Sequence, residues 1–120
     1  MRFPLAATTV AAVLGLSGLA MVPGSAVAAD EEAVEEGKEI AFSRTKGNCL
    51  ACHQMEGGDL AGNIGPPLTA MSSRMDKDEL RSQIEDSTES DSNTMMPPFG
   101  KHKILTDKEI DKVTEFVHQL

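Results

Sequence analysis

The residues best suited to chemistry stand together. The chain has only two cysteines, and they lie in Cys49-Leu50-Ala51-Cys52-His53, with a histidine directly after the second thiol. Side chains three and four positions apart share a face of a helical turn, so at the start of a helix both thiols and the imidazole would project to one side. A C-x-x-C-H pentad is the attachment pattern of c-type haem. Each thiol can add across one haem vinyl group, and the imidazole then reaches the iron as its proximal ligand. Other chemistries fit less well. Structural zinc wants a second closely spaced ligand pair, but the remaining histidines, His102 and His118, are widely separated. A thioredoxin-like dithiol needs a βαβ setting, and no strand-rich pattern surrounds the pair. A disulfide between residues this close would close a very small loop and add little stability.

An iron held by His53 has a second face to fill. The candidates are Met55, Met71, Met75, Met95 and Met96, with His102 and His118 as alternatives that would lower the reduction potential. Met55 is tied to the proximal face by its nearness to His53, and Met71 and Met75 flank a predicted helix start, where packing explains them. Met95-Met96-Pro97-Pro98-Phe99 follows a long polar loop and lies far enough along the chain to wrap over the haem. A residue directly before proline is held in extended backbone, which favours Met96 over Met95. His/Met ligation raises the potential, as suits an electron carrier. Upstream, Gly65-Pro66-Pro67-Leu68 offers the Pro66 carbonyl as an acceptor for the His53 ring N–H, with a plain rigid turn as the alternative.

The elements that must position these groups read as helices and loops. Residues 31–45 place Ala33, Val34, Gly37, Ile40 and Ala41 on one face of a short amphipathic helix. Gly37, costly inside a helix, suggests that another helix crosses closely there. Asp76-x-x-Glu79 and Thr106-x-x-Glu109 are capping boxes, each with a hydrophobic staple pair, Met75 with Leu80 and Leu105 with Ile110. Ile110, Val113, Phe116, Val117 and Leu120 form the apolar stripe of the last helix, expected against the first. Residues 57–67 and 87–94 read as loops, the latter acidic and polar.

Composition bounds the rest. Met1-Arg2, the apolar stretch Leu5 to Val22 and the Ala26-Val27-Ala28 triplet read as an export signal over residues 1–28, with an uncleaved membrane anchor as the alternative. That leaves one small domain, residues 29–120, with no further membrane span expected. Its apolar fraction is roughly a third, it has no Trp or Tyr, and Phe42, Phe99 and Phe116 are its only aromatic residues. Domains this small and lean commonly need a staple, and an attached haem would supply it. The formal net charge of −8 makes nucleic-acid binding improbable.

A first helix running into C-x-x-C-H, then G-P-x-L, a Met-Pro loop and a capped last helix resembles a class I cytochrome c, an all-α fold wrapped around one covalent haem c. More narrowly, GNCLACHQ, GNIGPPL, TMMPPFGKHKILT and DKEIDKVTEFV are similar to the SoxX family, the monohaem subunit of the SoxAX complex of bacterial thiosulfate oxidation. The resemblance implies a periplasmic heterodimer with a SoxA-type cytochrome, an enzyme that couples thiosulfate to a cysteine of the SoxYZ carrier. In it the SoxX haem takes electrons from the partner's haem and passes them to a downstream cytochrome. Carried over by motif, Cys49 and Cys52 hold the haem, and His53 and Met96 ligate its iron. A third cysteine is lacking, so the sulfur-ligated reaction site would belong to the partner, and this chain would be the electron-transfer subunit. The main rival is a free-standing class I cytochrome c shuttle. A haem peroxidase would need an open iron position and a distal acid-base group, and a haem-free dithiol switch would show no Soret band.

Overall fold

The computed structural model describes residues 25–120. Most of the predicted export signal therefore lies outside the described residues. Its Ala26-Val27-Ala28 triplet falls in the first turn of helix α1 (Ser25–Phe42), which begins ahead of the predicted start at residue 31. Two further α-helices follow, α2 (Lys77–Glu85) and α3 (Asp107–His118), with 3₁₀ turns at Cys49–Ala51, Met71–Ser73 and Ser87–Glu89. Among the described residues there is no strand, and no helix is long and apolar enough to cross a membrane.

Helix α1 stops at Phe42 rather than 45 because its last carbonyls find other donors. Ser43 N–H closes the final helical bond on Glu39, but the Ile40 carbonyl takes Gly47 N–H at 3.1 Å. Asn48, in the left-handed region at φ 48°, then turns the chain into the pentad. Asn tolerates that region because its short polar side chain bonds locally.

Both predicted helix starts have full capping boxes. Asp76 accepts from Glu79 N–H at 2.8 Å and Thr106 from Glu109 N–H at 3.3 Å, and each glutamate reaches back to the cap backbone. Such a cap is worth about 1 kcal/mol. Leu80, Leu105 and Ile110 are buried, and Met75 packs against the core from its edge.

α3 is the central helix. Ile110, Val113, Phe116 and Val117 are buried along it, and Leu120 packs on the same cluster. α1 crosses it at Gly37, where an added Cβ would lie 2.0 Å from the Lys112 carbonyl oxygen. The expected packing reason for that glycine is thus the backbone of α3 itself. Phe42 meets Phe116 edge-to-face with ring centroids 5.7 Å apart, the arrangement that aromatic quadrupoles prefer. α2 docks on α3 with Leu80 and Ile84 buried, flanked by the Lys77–Glu115 pair at 2.6 Å and the Arg81–Asp111 pair at 2.7 Å.

Candidate haem-binding site

The pentad forms one tight turn. Cys52 and His53 both donate their backbone N–H to the Cys49 carbonyl, at 3.1 and 2.9 Å. This corrects the expectation that the motif opens a longer helix. The carbonyls that a continuing helix would use are taken by the following loop: Leu50 by Gly62 N–H at 2.8 Å, Cys52 by Gly65 N–H at 2.9 Å, and Gln54 by Leu68 N–H at 2.8 Å. The loop is zipped onto the pentad, and Cys49, Cys52 and His53 all face one cavity.

Within that loop the predicted partner of the imidazole is in place. His53 Nδ1 lies 2.7 Å from the Pro66 carbonyl oxygen. A carbonyl can only accept, so Nδ1 carries the proton and Nε2 keeps its lone pair for a metal. Gly65 lies under the ring: a Cβ there would come within 2.4 to 2.8 Å of three imidazole atoms. Arg74 holds the same loop from outside, donating to the Pro67 carbonyl at 2.9 Å and to the Met71 sulfur at 3.3 Å. Nothing in its sequence neighbourhood marks this role, because the contact depends on how the Met71–Ser73 turn is placed.

The cavity has a volume of about 650 Å³, within the range of small-molecule and cofactor sites. Its walls are largely aliphatic, with Leu68, Leu80, Ile84, Leu105, Val113 and Val117 contributing. Of the methionines weighed for the second face, Met71, Met75, Met95 and Met96 line it and Met55 does not; neither histidine alternative does. Met71 is buried in the core, Met95 is 77% exposed, and Met96 is partly buried against the core.

The Met96 arm is fastened to the end of α2. Phe99 N–H donates to the Ile84 carbonyl at 3.2 Å, and Gly100 and Lys101 N–H donate to that of Glu85 at 3.0 and 3.2 Å. These are carbonyls that a helix C-terminus leaves without intrahelical partners. Lys101 also pairs with Asp86 at 2.7 Å, which holds that carboxyl below its ordinary range. Ser87, read from sequence as part of a polar loop, is fully buried and donates to the Met96 carbonyl at 2.7 Å.

Neither thiol is in a disulfide. Burial pushes the Cys49 thiol up to about 11, with a smaller contribution from nearby Cys52. It is therefore protonated at neutral pH, unlike the low-pKa thiolates of dithiol oxidoreductases.

A family model described as cytochrome c matches residues 34–120. The chain belongs to the cytochrome c family. It has the all-α class I fold, and the cofactor of this family is covalently bound haem c. Two thiols on one wall of an apolar cavity, next to an imidazole whose Nε2 is free, suit that group. Among solved structures, the chain is similar to one described as the crystal structure of SoxXA from P. pantotrophus. That similarity has a TM-score of 0.65 and 27% identity, and covers 71% of this chain and 79% of that one. No curated protein matches the chain. As a member of this family, the protein is a haem electron-transfer cytochrome.

Proposed function

We propose that this cytochrome is the electron-transfer subunit of an exported thiosulfate-oxidising complex of the SoxAX type. In this reading residues 1–28 are a cleaved export signal and 29–120 are the periplasmic haem domain. The family match, over residues 34–120, falls within the second of these. Cys49 and Cys52 carry the haem through thioethers, His53 Nε2 ligates the iron on the proximal side, and Met96 supplies the sulfur on the other. The bound haem supplies one-electron redox chemistry. The protein's own residues orient the imidazole through Pro66, exclude water with an aliphatic wall, and hold the thioether arm against α2.

The likeness to the SoxXA structure carries the choice of partner. The partner would be a SoxA-type cytochrome, with a SoxYZ-type carrier delivering the sulfur substrate and a downstream cytochrome taking the electrons.

The test is isolation of the native protein from cells. We expect it to co-purify with a larger cytochrome, and its haem to be reduced on adding thiosulfate and the sulfur carrier. A protein that purifies as a monomer and stays oxidised under those conditions would instead be the free-standing shuttle.

A further inference from the structure

Met96 sits in a stretch that cannot fasten itself. Pro97 and Pro98 have no backbone N–H, and the next donors, on Phe99 to Lys101, are spent on the end of α2. Among the described residues, two hydrogen bonds hold positions 95–97, and both join the Met96 backbone to the hydroxyl of another residue. Its N–H donates to Thr94 Oγ1 at 3.1 Å, and its carbonyl accepts from Ser87 Oγ at 2.7 Å.

Ser87 is 0% exposed. The other buried hydroxyl, that of Thr114, donates at 2.8 Å to the Ile110 carbonyl of its own helix turn. That bond is local and serves only the helix. Ser87 instead reaches nine residues along the chain to the carbonyl of one particular residue. Burying a hydroxyl is costly unless it is bonded, so once buried it is committed to this acceptor. It does not line the cavity itself.

We propose that Ser87 is a positioning residue for the axial methionine. Its hydroxyl fixes the Met96 carbonyl and, through it, the direction in which the thioether is offered to the iron. Ser87 thereby sets how firmly the sulfur is held without touching the haem. This rests on the reading of Met96 as the ligand.

The experiment is an imidazole titration of the ferric holoprotein, since imidazole competes for the position of the methionine sulfur. Ser87→Ala removes the hydroxyl and keeps the Cβ. We expect it to bind imidazole about tenfold more tightly than the parent, the equivalent of one buried hydrogen bond. We also expect a weakened sulfur-to-iron charge-transfer band and a lower reduction potential. Ser87→Cys, a weaker donor of similar size, should bind about threefold more tightly, and carries the test if the alanine variant does not fold. In a Met96→Ala background, Ser87→Ala should leave imidazole affinity unchanged.

Unchanged imidazole affinity in both Ser87 variants, even with a lower melting temperature, would show a purely structural serine and overturn the proposal. So would an effect of equal size in the Met96→Ala background. If Met96→Ala itself keeps the charge-transfer band, the ligation reading fails and this inference falls with it. Loss of that band with unchanged affinity in the Ser87 variants overturns the inference alone.

Discussion

The two arms that meet at the cavity are held by different means. The His53 arm is zipped backbone to backbone: the Gly62–Leu68 loop occupies the carbonyls of Leu50, Cys52 and Gln54, and the imidazole itself is fixed on the Pro66 carbonyl. The Met96 arm hangs from the C-terminus of α2 by three backbone N–H groups and one buried serine hydroxyl. The first is a tight local turn closed by backbone groups, whereas the second is a strap held in part by one side-chain hydroxyl, so a single substitution can loosen the second without disturbing the first.

The largest effect should come from the covalent link. Cys49→Ala combined with Cys52→Ala, exported normally, should give a protein without cooperative thermal unfolding, followed by far-UV circular dichroism. Without its group, the aliphatic walls of a cavity of about 650 Å³ would face water, and a domain this small has little other burial to offset that. A double variant that stayed colourless yet melted cooperatively near the parent temperature would refute the haem-filled core.

Next, glycine substitutions should separate the arms. Gly65→Ala places a methyl within 2.4 Å of the imidazole, with no room to yield because the ring is fixed. It should cost about 3 kcal/mol in denaturant unfolding and perturb the proximal ligation spectrum. Gly100→Ala meets Glu85 Cγ at 2.8 Å and the tip of Ile110 at 3.0 Å, side-chain atoms that can shift. It should cost about 1 kcal/mol. Equal costs would contradict the contrast between a rigid arm and a compliant one.

Exchange at the two methionines sharpens the distal side. Met96→Ala should abolish the near-infrared sulfur-to-iron band. Met95→Ala, at a 77% exposed position, should leave the band intact and stability within about 0.5 kcal/mol.

The smallest effect is electrostatic. Lys46, just before the pentad, pairs with Glu109 in the α3 cap, and with the Thr106 backbone N–H it holds that carboxyl down from 4.5 to about 2. A depressed carboxyl contributes stability above its unfolded value and loses it as pH falls through its folded value. Wild-type stability should therefore decline between about pH 4.5 and pH 2 from this group, and Glu109→Gln should flatten that limb. Because the pair faces solvent, the gain at neutral pH should stay below about 1 kcal/mol, measured by urea unfolding at several pH values.

How much of this was legible beforehand follows from how local each feature is. The pentad, both capping boxes and the stripe of α3 are patterns within a few residues, and sequence spacing carries them directly. The Pro66 acceptor was readable because proline signals a rigid turn at a suitable distance from His53. Ser87 was not, because Ser87-Thr88-Glu89-Ser90-Asp91-Ser92-Asn93-Thr94 is uniformly polar and no periodicity distinguishes the one hydroxyl that turns inward. Arg74 was hidden for the same kind of reason, as one of its two acceptors is the Pro67 carbonyl on the loop before it, which no side-chain pattern marks. Even the pentad was misjudged in extent, since its helix is cut short by donors from residues 62–68.

By itself, then, the order of residues determined the cofactor chemistry, the two capped helix starts and the glycine at which two helices cross, because each follows from short-range geometry or from a side chain that is missing. Only the tertiary structure decided that Met96 packs against the core while Met95, which also lines the cavity, does not, and that Ser87 is the serine buried behind them. Those outcomes depend on how the end of α2 meets a proline-stiffened strap, a contact between segments whose sequences do not encode each other's position.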